Sequence, residues 1–207
     1  MKKFFLFTLP LFLCIVCLGC VPDEIGIKKE ENLQVRGTWE GNIYTNQYAD
    51  LSFSMPDSWF IANDEEIAEM MNLSKEMLTD KSVFSEEKVA SLAVIFDMIA
   101  GDYMAGENVL IQLEKISHIP GHKYLKEEEY LEITKQDLEK ANLGYIFEEK
   151  EEILIGDYPY LKMSGEIENS SLEQIYLARK FDDYMFCIVI TSSIGNATEI
   201  LGYFDSI

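Results

Sequence analysis

The chain has 207 residues, of which 17 are basic and 37 acidic, so its formal net charge is −20 at pH 7. A charge this negative repels phosphate backbones, which excludes nucleic acid as an expected partner. The hydrophobic share of 48% and the aromatic share of 12% are sufficient for a packed core and exclude a disordered chain.

Residues 1–19 have the pattern of a secretory signal peptide, with two lysines near the start and then an apolar stretch too short to span a membrane. The segment LGC that ends at Cys20 resembles the processing site of a bacterial lipoprotein, in which this cysteine is lipidated and becomes the new N-terminus. Cys17 stands where lipoproteins usually carry Leu. An ordinary secretory signal and an uncleaved anchor therefore stay open as alternatives.

We predict three parts: a lipoprotein signal peptide over 1–19, a flexible tether over 20–38 and a single domain over 39–207. Without the two leader lysines, 15 basic and 37 acidic residues leave a net charge of −22. The resemblance implies a diacylglyceryl group on Cys20, which would hold the domain at the outer face of the cytoplasmic membrane. Cys187 is the last cysteine of the chain, so the domain cannot form an internal disulfide, and its apolar surroundings predict burial.

Two hairpins and a helix are predicted in the first half of the domain. The strands are Asn42–Thr45, Leu51–Met55, Leu92–Ala100 and Asn108–Ile116. A helix begins at Asn63, because Asn63 and Glu66 have the spacing of a capping box.

A helix, four strands and a short terminal helix are predicted in the second half. The helix spans Lys126–Asn142, and the terminal helix begins near Ala197 with Asn196 as its cap. The strands are Tyr145–Glu149, Tyr158–Gly165, Glu173–Phe181 and Tyr184–Ser192. Antiparallel strands in runs separated by helices predict an α+β fold, with a central antiparallel β-sheet and helices packed on its faces.

The segment YTNQYADLSFSMPDSWF, followed at once by an acidic-capped helix, resembles the opening of small extracytoplasmic lipoproteins related to PsbP, DcrB and the Ran-binding Mog protein. The positions that carry the resemblance are Tyr44, Asn46, Tyr48, Phe53, Pro56 and Trp59. The resemblance covers about residues 41–207. It implies an α/β/α sandwich. Known members of this group bind proteins or cofactor assemblies or have no assigned role, and the resemblance implies no catalytic motif.

Five residues are candidates for a ligand or partner surface. Tyr44, Tyr48 and Trp59 form an aromatic group, with core packing as the alternative role of Trp59. His118 and His122 are the two histidines of the chain. A Pro-Gly pair between them excludes a helix, although a loop could still hold zinc with an acidic third ligand. Two exposed loop histidines are the alternative.

The sequence contains no motif for a cofactor or for catalysis: there is no nucleophile elbow, phosphate loop, calcium loop or His-Glu-x-x-His pattern. We therefore predict a non-catalytic, membrane-anchored binding or assembly module without a cofactor, whose partner is an envelope protein or a small ligand. Two alternatives remain, an envelope hydrolase that uses a carboxylate pair and a cation-binding protein.

Overall fold

The computed structural model describes residues 35–63, 65–67, 94–102, 104–118 and 124–207. In that part of the chain the strands are β1 (Thr38–Glu40), β2 (Ile43–Asn46), β3 (Leu51–Ser54), β4 (Phe60–Ile61), β5 (Val94–Asp102), β6 (Glu107–Lys115), β7 (Tyr145–Phe147), β8 (Glu151–Ile155), β9 (Tyr158–Ile167), β10 (Leu172–Phe181), β11 (Tyr184–Ser193) and β12 (Phe204–Asp205). The helices are α1 (Glu127–Lys140) and α2 (Ala197–Leu201), and residues 65–67 form a helical turn.

The strands form two antiparallel sheets. The larger sheet has the order β4-β5-β6-β11-β10-β9-β7, and β8 pairs with β9 beside β7. The smaller sheet has the order β1-β2-β3-β12, so the two-residue strand near the C-terminus completes a sheet that begins at the N-terminus of the domain.

Both faces of the larger sheet are covered, and β11 shows this best because it lies near the middle. Its even-numbered residues from Tyr184 to Ile190 pack toward the smaller sheet, and its odd-numbered residues from Met185 to Val189 pack toward α1. A strand that is buried on both sides needs a continuous apolar run rather than an alternating one. This explains the sequence YMFCIVI over residues 184–190.

The α+β class and the antiparallel central sheet agree with the prediction, but the layers differ from a simple helix-sheet-helix sandwich. One face carries α1, whose buried residues are Tyr130, Leu131 and Leu138. The other face carries the short α2 together with the whole smaller sheet. Leu51 and Phe53 alternate with serines along β3, so this sheet has an apolar side that must be covered.

The start of the first predicted helix is confirmed in atomic detail. Asn63 Oδ1 accepts hydrogen bonds from the backbone N–H groups of Glu65 and Glu66 at 2.9 and 3.1 Å. The Glu66 carboxylate in turn accepts one from the Asn63 N–H at 2.8 Å. This reciprocal pair is a capping box. The remainder of that predicted helix lies outside the described residues.

Asn196 occupies the N-cap position of the terminal helix, as predicted, and its backbone carbonyl accepts hydrogen bonds from the N–H groups of Glu199 and Ile200. Its side chain does not cap α2, because it donates to Glu107. The carboxylate of Glu173 instead accepts hydrogen bonds from the N–H groups of Gly195 and Ala197 at 2.9 and 3.0 Å. The helix also ends at Leu201 rather than continuing to the C-terminus.

Strand β8 was not predicted, although it forms a hairpin with β9. A short turn at Gly156 and Asp157 joins the two strands, and Gly156 has a φ of 56°. A positive φ of this kind suits the tight turns of hairpins. The sequence pattern did not indicate this strand, because β8 begins with two glutamates that continue the acidic cluster before it.

The described part of the domain begins four residues before the predicted boundary. Val35 is buried in the core beneath the smaller sheet. Gly37 donates its N–H to the side chain of Asp97, and Thr38 already belongs to β1. Residues 35–38 are therefore part of the packed domain, whereas the prediction assigned them to the tether.

Candidate functional site

The three aromatic candidates do not share one open surface. Tyr44 is 1% exposed and Trp59 is 8% exposed, and both belong to the core between the two sheets. Trp59 packs against Phe53 with ring centroids 6.0 Å apart. Only Tyr48 of the three is partly exposed. This placement favours core packing as the role of Trp59.

The other candidate residues fall largely outside the described part of the chain. Cys20 and His122 lie outside it, and only the backbone of His118 is described, at the end of the short 3-10 turn Ile116–His118. Lipidation of Cys20 and a zinc site at the histidine pair therefore stay predictions. Among the described residues, no three His, Cys, Asp or Glu side chains come together as ligands for a metal ion.

A buried carboxylate, Asp97, joins the N-terminal segment to both sheets. It sits where a β-bulge shifts the register of β5 against β6. It accepts hydrogen bonds from Tyr44 Oη, from Asn46 Nδ2 at 2.7 Å and from the Gly37 N–H at 2.9 Å. The guanidinium of Arg36 completes the group, with Nε 3.7 Å from Asp97 Oδ1.

The arrangement around Asp97 is that of a satisfied structural group. Burial raises the pKa of Asp97, and the donors from Tyr44, Arg36, Asn46 and Gly37 work against that rise. Burial also raises the pKa of Tyr44 well above its ordinary value. Since the side chain of Asp97 is fully buried and its oxygens are occupied, no substrate can reach it in this conformation.

A second polar group lies on the opposite face, beneath α1, where Tyr130 and Cys187 are buried and Glu114 is partly exposed. Burial raises the pKa of Glu114, which is hydrogen-bonded to Tyr130 of α1. Beside them burial raises the pKa of the Cys187 thiol to about 12, so the sulfur stays protonated and is not a nucleophile at neutral pH. Asp97 and Glu114 are separated by the sheet. These two carboxylates therefore cannot act together on one substrate.

The accessible group with the most distinctive geometry is centred on Arg179 of β10. Its guanidinium carbon lies 4.0 Å from the ring centroid of Tyr158 and 4.3 Å from that of Phe181, so the cation is held between two rings. A third ring, that of Tyr160, is 5.6 Å away. We call Arg179, Tyr48, Tyr158, Tyr160 and Phe181 the arginine cluster.

Tyr48 connects the smaller sheet to this cluster. It lies in the turn between β2 and β3, its ring is 5.5 Å from that of Phe181, and its hydroxyl donates to the Phe181 carbonyl at 3.1 Å. Burial, followed by the negative charge of Asp182, raises the pKa of Tyr48. Arg179, Tyr158, Phe181 and Tyr48 are all partly exposed, so the cluster reaches the surface.

Sequence reasoning found Tyr48 but missed Arg179 and Asp97. Each of the two has a signal in the sequence, because each is a charged residue within an apolar strand: LAVIFDMIA contains Asp97 and IYLARKF contains Arg179. A charge in such a run is costly unless it is paired or reaches the surface. The signal marks the residue, but it does not identify the partners.

Neither helix in the described residues is both long and apolar enough to cross a membrane.

No family model matches the chain, and no curated protein matches it. Among solved structures, the chain is similar to the solution structure of cyanobacterial PsbP (CyanoP) from Synechocystis sp. PCC 6803, at 11% identity and a TM-score of 0.45, over 92% of this chain and 99% of that chain. It is also similar to the crystal structure of LpqN, described as involved in cell envelope biogenesis of Mycobacterium tuberculosis, at 8% identity and a TM-score of 0.38, over 74% of this chain and 76% of that chain. The first similarity agrees with the resemblance to PsbP drawn from the sequence, while the relation to DcrB and Mog stays a prediction. Similarity at this level assigns neither an activity nor a partner to this chain.

Proposed function

We propose that this protein is a lipid-anchored, extracytoplasmic binding module without catalytic activity, which contacts a partner protein through the arginine cluster. The observation that carries the proposal is the guanidinium of Arg179, held between the rings of Tyr158 and Phe181 at a partly exposed position.

The composition and rigidity of the arginine cluster favour binding. Arginine and tyrosine are over-represented among the residues that contribute most to protein–protein affinity. A guanidinium stacked between two rings keeps its N–H groups in one plane; Nη1 of Arg179 is buried, and the N–H groups on the partly exposed side would donate to a carboxylate or a carbonyl of a partner. Because Arg179 is already fixed by its neighbours, little side-chain entropy remains to be lost when a partner binds.

The buried ionisable groups support binding over catalysis. The carboxylates of Asp97 and Glu114 lie on opposite faces of the larger sheet, each engaged by a tyrosine. A hydrolase that works through a carboxylate pair needs both groups to flank one bond. Among the described residues, these two carboxylates are the ones whose pKa is raised. Because the sheet separates them, they cannot serve as the catalytic pair of a hydrolase.

The anchoring part of the proposal rests on the lipoprotein-like leader. Attachment at Cys20 would tie the module to the outer face of the cytoplasmic membrane, because a diacylglyceryl group supplies the two chains that stable anchoring requires. Replacing Cys20 by serine tests this directly: the variant should leave the membrane fraction or accumulate as an uncleaved precursor. A processed variant that stays in the membrane fraction would show that another element anchors the protein.

The binding part is tested by cross-linking the full-length tagged protein in native membranes and identifying what is captured. We expect Arg179→Ala to reduce capture of the specific partner by about tenfold, the effect of losing one strong interface residue. Lys135→Ala is a matched control, since Lys135 Nζ also lies over a ring, that of Phe147 at 5.7 Å, but on the face that carries α1. Thermal melting of each variant verifies folding.

Two outcomes would refute the arginine cluster as the binding surface. In the first, a correctly folded Arg179→Ala variant captures the same partner as strongly as the parent. In the second, Lys135→Ala weakens capture as much as Arg179→Ala, which would indicate a general effect of positive charge. Repeated absence of any captured partner from the parent protein would refute the function as a binding module.

A further inference from the structure

Strand β8 lies at an edge of the larger sheet and is not paired on its outer side. It pairs with β9 through the register from Glu151↔Lys162 to Ile155↔Tyr158, and no other strand of the described residues pairs with it. An open edge is a template for another strand, and proteins usually block such edges with lysine, proline or a bulge. None of these occurs within EEILI, residues 151–155.

The direction of the free backbone groups follows from Pro159, which stands opposite Leu154. In an antiparallel ladder, residues of a hydrogen-bonded pair exchange two bonds, and pairs of this kind alternate with pairs that exchange none. Proline has no N–H to donate, so Leu154 and Pro159 must form a pair of the second kind. The N–H and C=O groups of Glu152 and Leu154 therefore point away from β9, toward the open side.

The side chains on this edge are exposed and mostly acidic. Leu154 is 68% exposed, and Glu148, Glu149 and Glu152 are exposed as well. Within the described residues none of these three carboxylates forms an ion pair. In contrast, Glu151 pairs with Lys162 at 2.7 Å, so its charge is already compensated.

The lysine that directly precedes β8 in the sequence does not protect the edge. The side chain of Lys150 is 17% exposed and extends toward α1, where its Nζ lies 2.9 Å from Glu132 and 3.7 Å from Glu128. The edge therefore keeps an uncompensated negative charge directly beside its free backbone groups. A second copy of this chain would bring two such acidic edges together, which is unfavourable.

We infer that β8 accepts an extended segment of a partner protein as an added antiparallel strand, and that this segment carries lysine or arginine at alternate positions. The backbone groups of Glu152 and Leu154 pair with the added strand, as in other cases of β-strand addition. The carboxylate of Glu152 selects a basic side chain, and those of Glu148 and Glu149 add negative charge beside it. Leu154 lies on the same face of β8 as Glu152 and packs against the aliphatic stem of the next basic side chain. This inference is independent of the arginine cluster.

The test uses the full domain and synthetic peptides. The probe is the heptapeptide Lys-Val-Lys-Val-Lys-Val-Lys, and the two comparison peptides replace every Lys by Glu or the central Val by Pro. Binding is measured by calorimetry at two salt concentrations, with backbone amide shifts as a second readout. We expect the probe to bind about tenfold more tightly than either comparison peptide, since one lacks charge complementarity and the other cannot complete the ladder.

Variants of β8 then locate the site. Glu152→Lys should weaken binding of the probe by about tenfold, while Glu139→Lys, the same charge change at an exposed position of α1, should change it by less than about twofold. Leu154→Pro removes an outward N–H that β9 does not use, so it should abolish binding and leave the domain folded. If that variant does not fold, the comparison of Glu152→Lys with Glu139→Lys decides. Arg179→Ala should bind the probe like the parent.

Several results would overturn the inference. Equal weakening by Glu152→Lys and Glu139→Lys would mean attraction by net charge alone. Equal affinity for the proline-containing peptide would mean that no strand is added. Failure of the probe to bind, or a stable dimer in sedimentation that Leu154→Pro dissociates, would exclude a basic segment as the occupant of this edge.

Discussion

Replacing Asp97 by alanine removes a side-chain acceptor to which the N-terminal segment and the smaller sheet both donate. Three donors lose their partner: the N–H of Gly37, the hydroxyl of Tyr44 and one N–H of the Asn46 side chain. Asn46 keeps a hydrogen bond from its side-chain amide to the carbonyl of Val35 at 2.9 Å, so this amide loses only part of its hydrogen bonding. Both Tyr44 and Asn46 are at most 1% exposed, and water cannot replace the carboxylate without a rearrangement.

The expected loss of stability is large for a single substitution. A buried donor left without a partner costs about 1–3 kcal/mol. Breaking a buried, hydrogen-bonded charge pair by removing one member costs about 3–5 kcal/mol. We take the second range for Asp97→Ala, because the cost of burying the carboxylate disappears and offsets part of the three lost bonds. For a domain of this size such a loss lowers the melting temperature by about 10 °C.

Thermal and denaturant unfolding of matched variants would measure this loss. Asp57→Ala is the control, since Asp57 also accepts a short hydrogen bond, from Asn42 at 2.7 Å, but at an exposed site. Exposed polar contacts of this kind contribute little, so its melting temperature should change by less than about 2 °C. A melting temperature of Asp97→Ala within that same margin would show that the buried network contributes no net stability.

The pH dependence of the same variants gives a second, independent check. Burial raises the pKa of Asp97 above the ordinary value of 3.8. The ordinary pKa is that of the unfolded state and the raised pKa is that of the folded state, so between the two values the folded state holds more protons. The contribution of Asp97 to stability is therefore complete below the unfolded-state pKa and is lost as pH rises through the folded-state pKa. Asp97→Asn, which cannot titrate, should remove this decline. An unchanged pH profile in Asp97→Asn would assign the decline to other groups.

Three further predictions concern single side chains. Trp59→Ala should cost about 3–5 kcal/mol, as for other buried aromatic residues, and an unchanged unfolding midpoint would contradict its place in the core. The Cys187 thiol, with a pKa of about 12 and an exposure of 1%, should react with thiol reagents at pH 8 only at the rate of unfolding; fast labelling of the folded protein would oppose this. Glu173→Ala should cost about 1 kcal/mol by removing the side-chain acceptor at the start of α2, and a smaller loss than that of Asn196→Ala would assign side-chain capping to Asn196 instead.

Local patterns in the sequence predicted the elements whose cause is local. The capping box of Asn63 and Glu66 needs only residues three apart, and the structure forms it. The hairpin at Asp182 and Asp183 joins β10 and β11 as predicted, and Asp182 has the positive φ of 46° that such a turn favours. In these cases the residues that make the interaction lie within three positions of each other in the sequence.

The errors occur where distant residues compete with the local pattern. Phe204 continues the helical spacing of α2, yet it pairs with Phe53 in the smaller sheet, with ring centroids 4.7 Å apart. Glu173 is a strand residue far from Asn196 in sequence, yet it reaches the start of α2 with a charge that suits the helix dipole. A carboxylate at the start of a helix is favoured over a neutral amide, and here the carboxylate comes from Glu173 of β10.

The candidate sites show the same division between a recognisable residue and its unpredictable partners. Asp97 stands out within an apolar strand, but its role depends on Gly37 and Asn46, which come close only because the two sheets stack. Likewise β8 becomes an edge because β9 pairs with both β7 and β8 on one side, a choice that no local spacing reveals. Sequence alone marks such residues as unusual, and the topology decides what they bind.

The position of Asp97 connects the proposed anchor to the fold. The chain that leads from Cys20 enters the described domain at Val35, and Gly37 and Asn46 bind there to the same buried carboxylate. If Cys20 is anchored as proposed, a pull on the N-terminus would act first on these hydrogen bonds and on β1, an edge strand of only three residues. A three-residue edge strand is weak by itself. The buried carboxylate of Asp97 binds both the residue before this strand and the strand paired with it, and this gives its costly burial a physical reason.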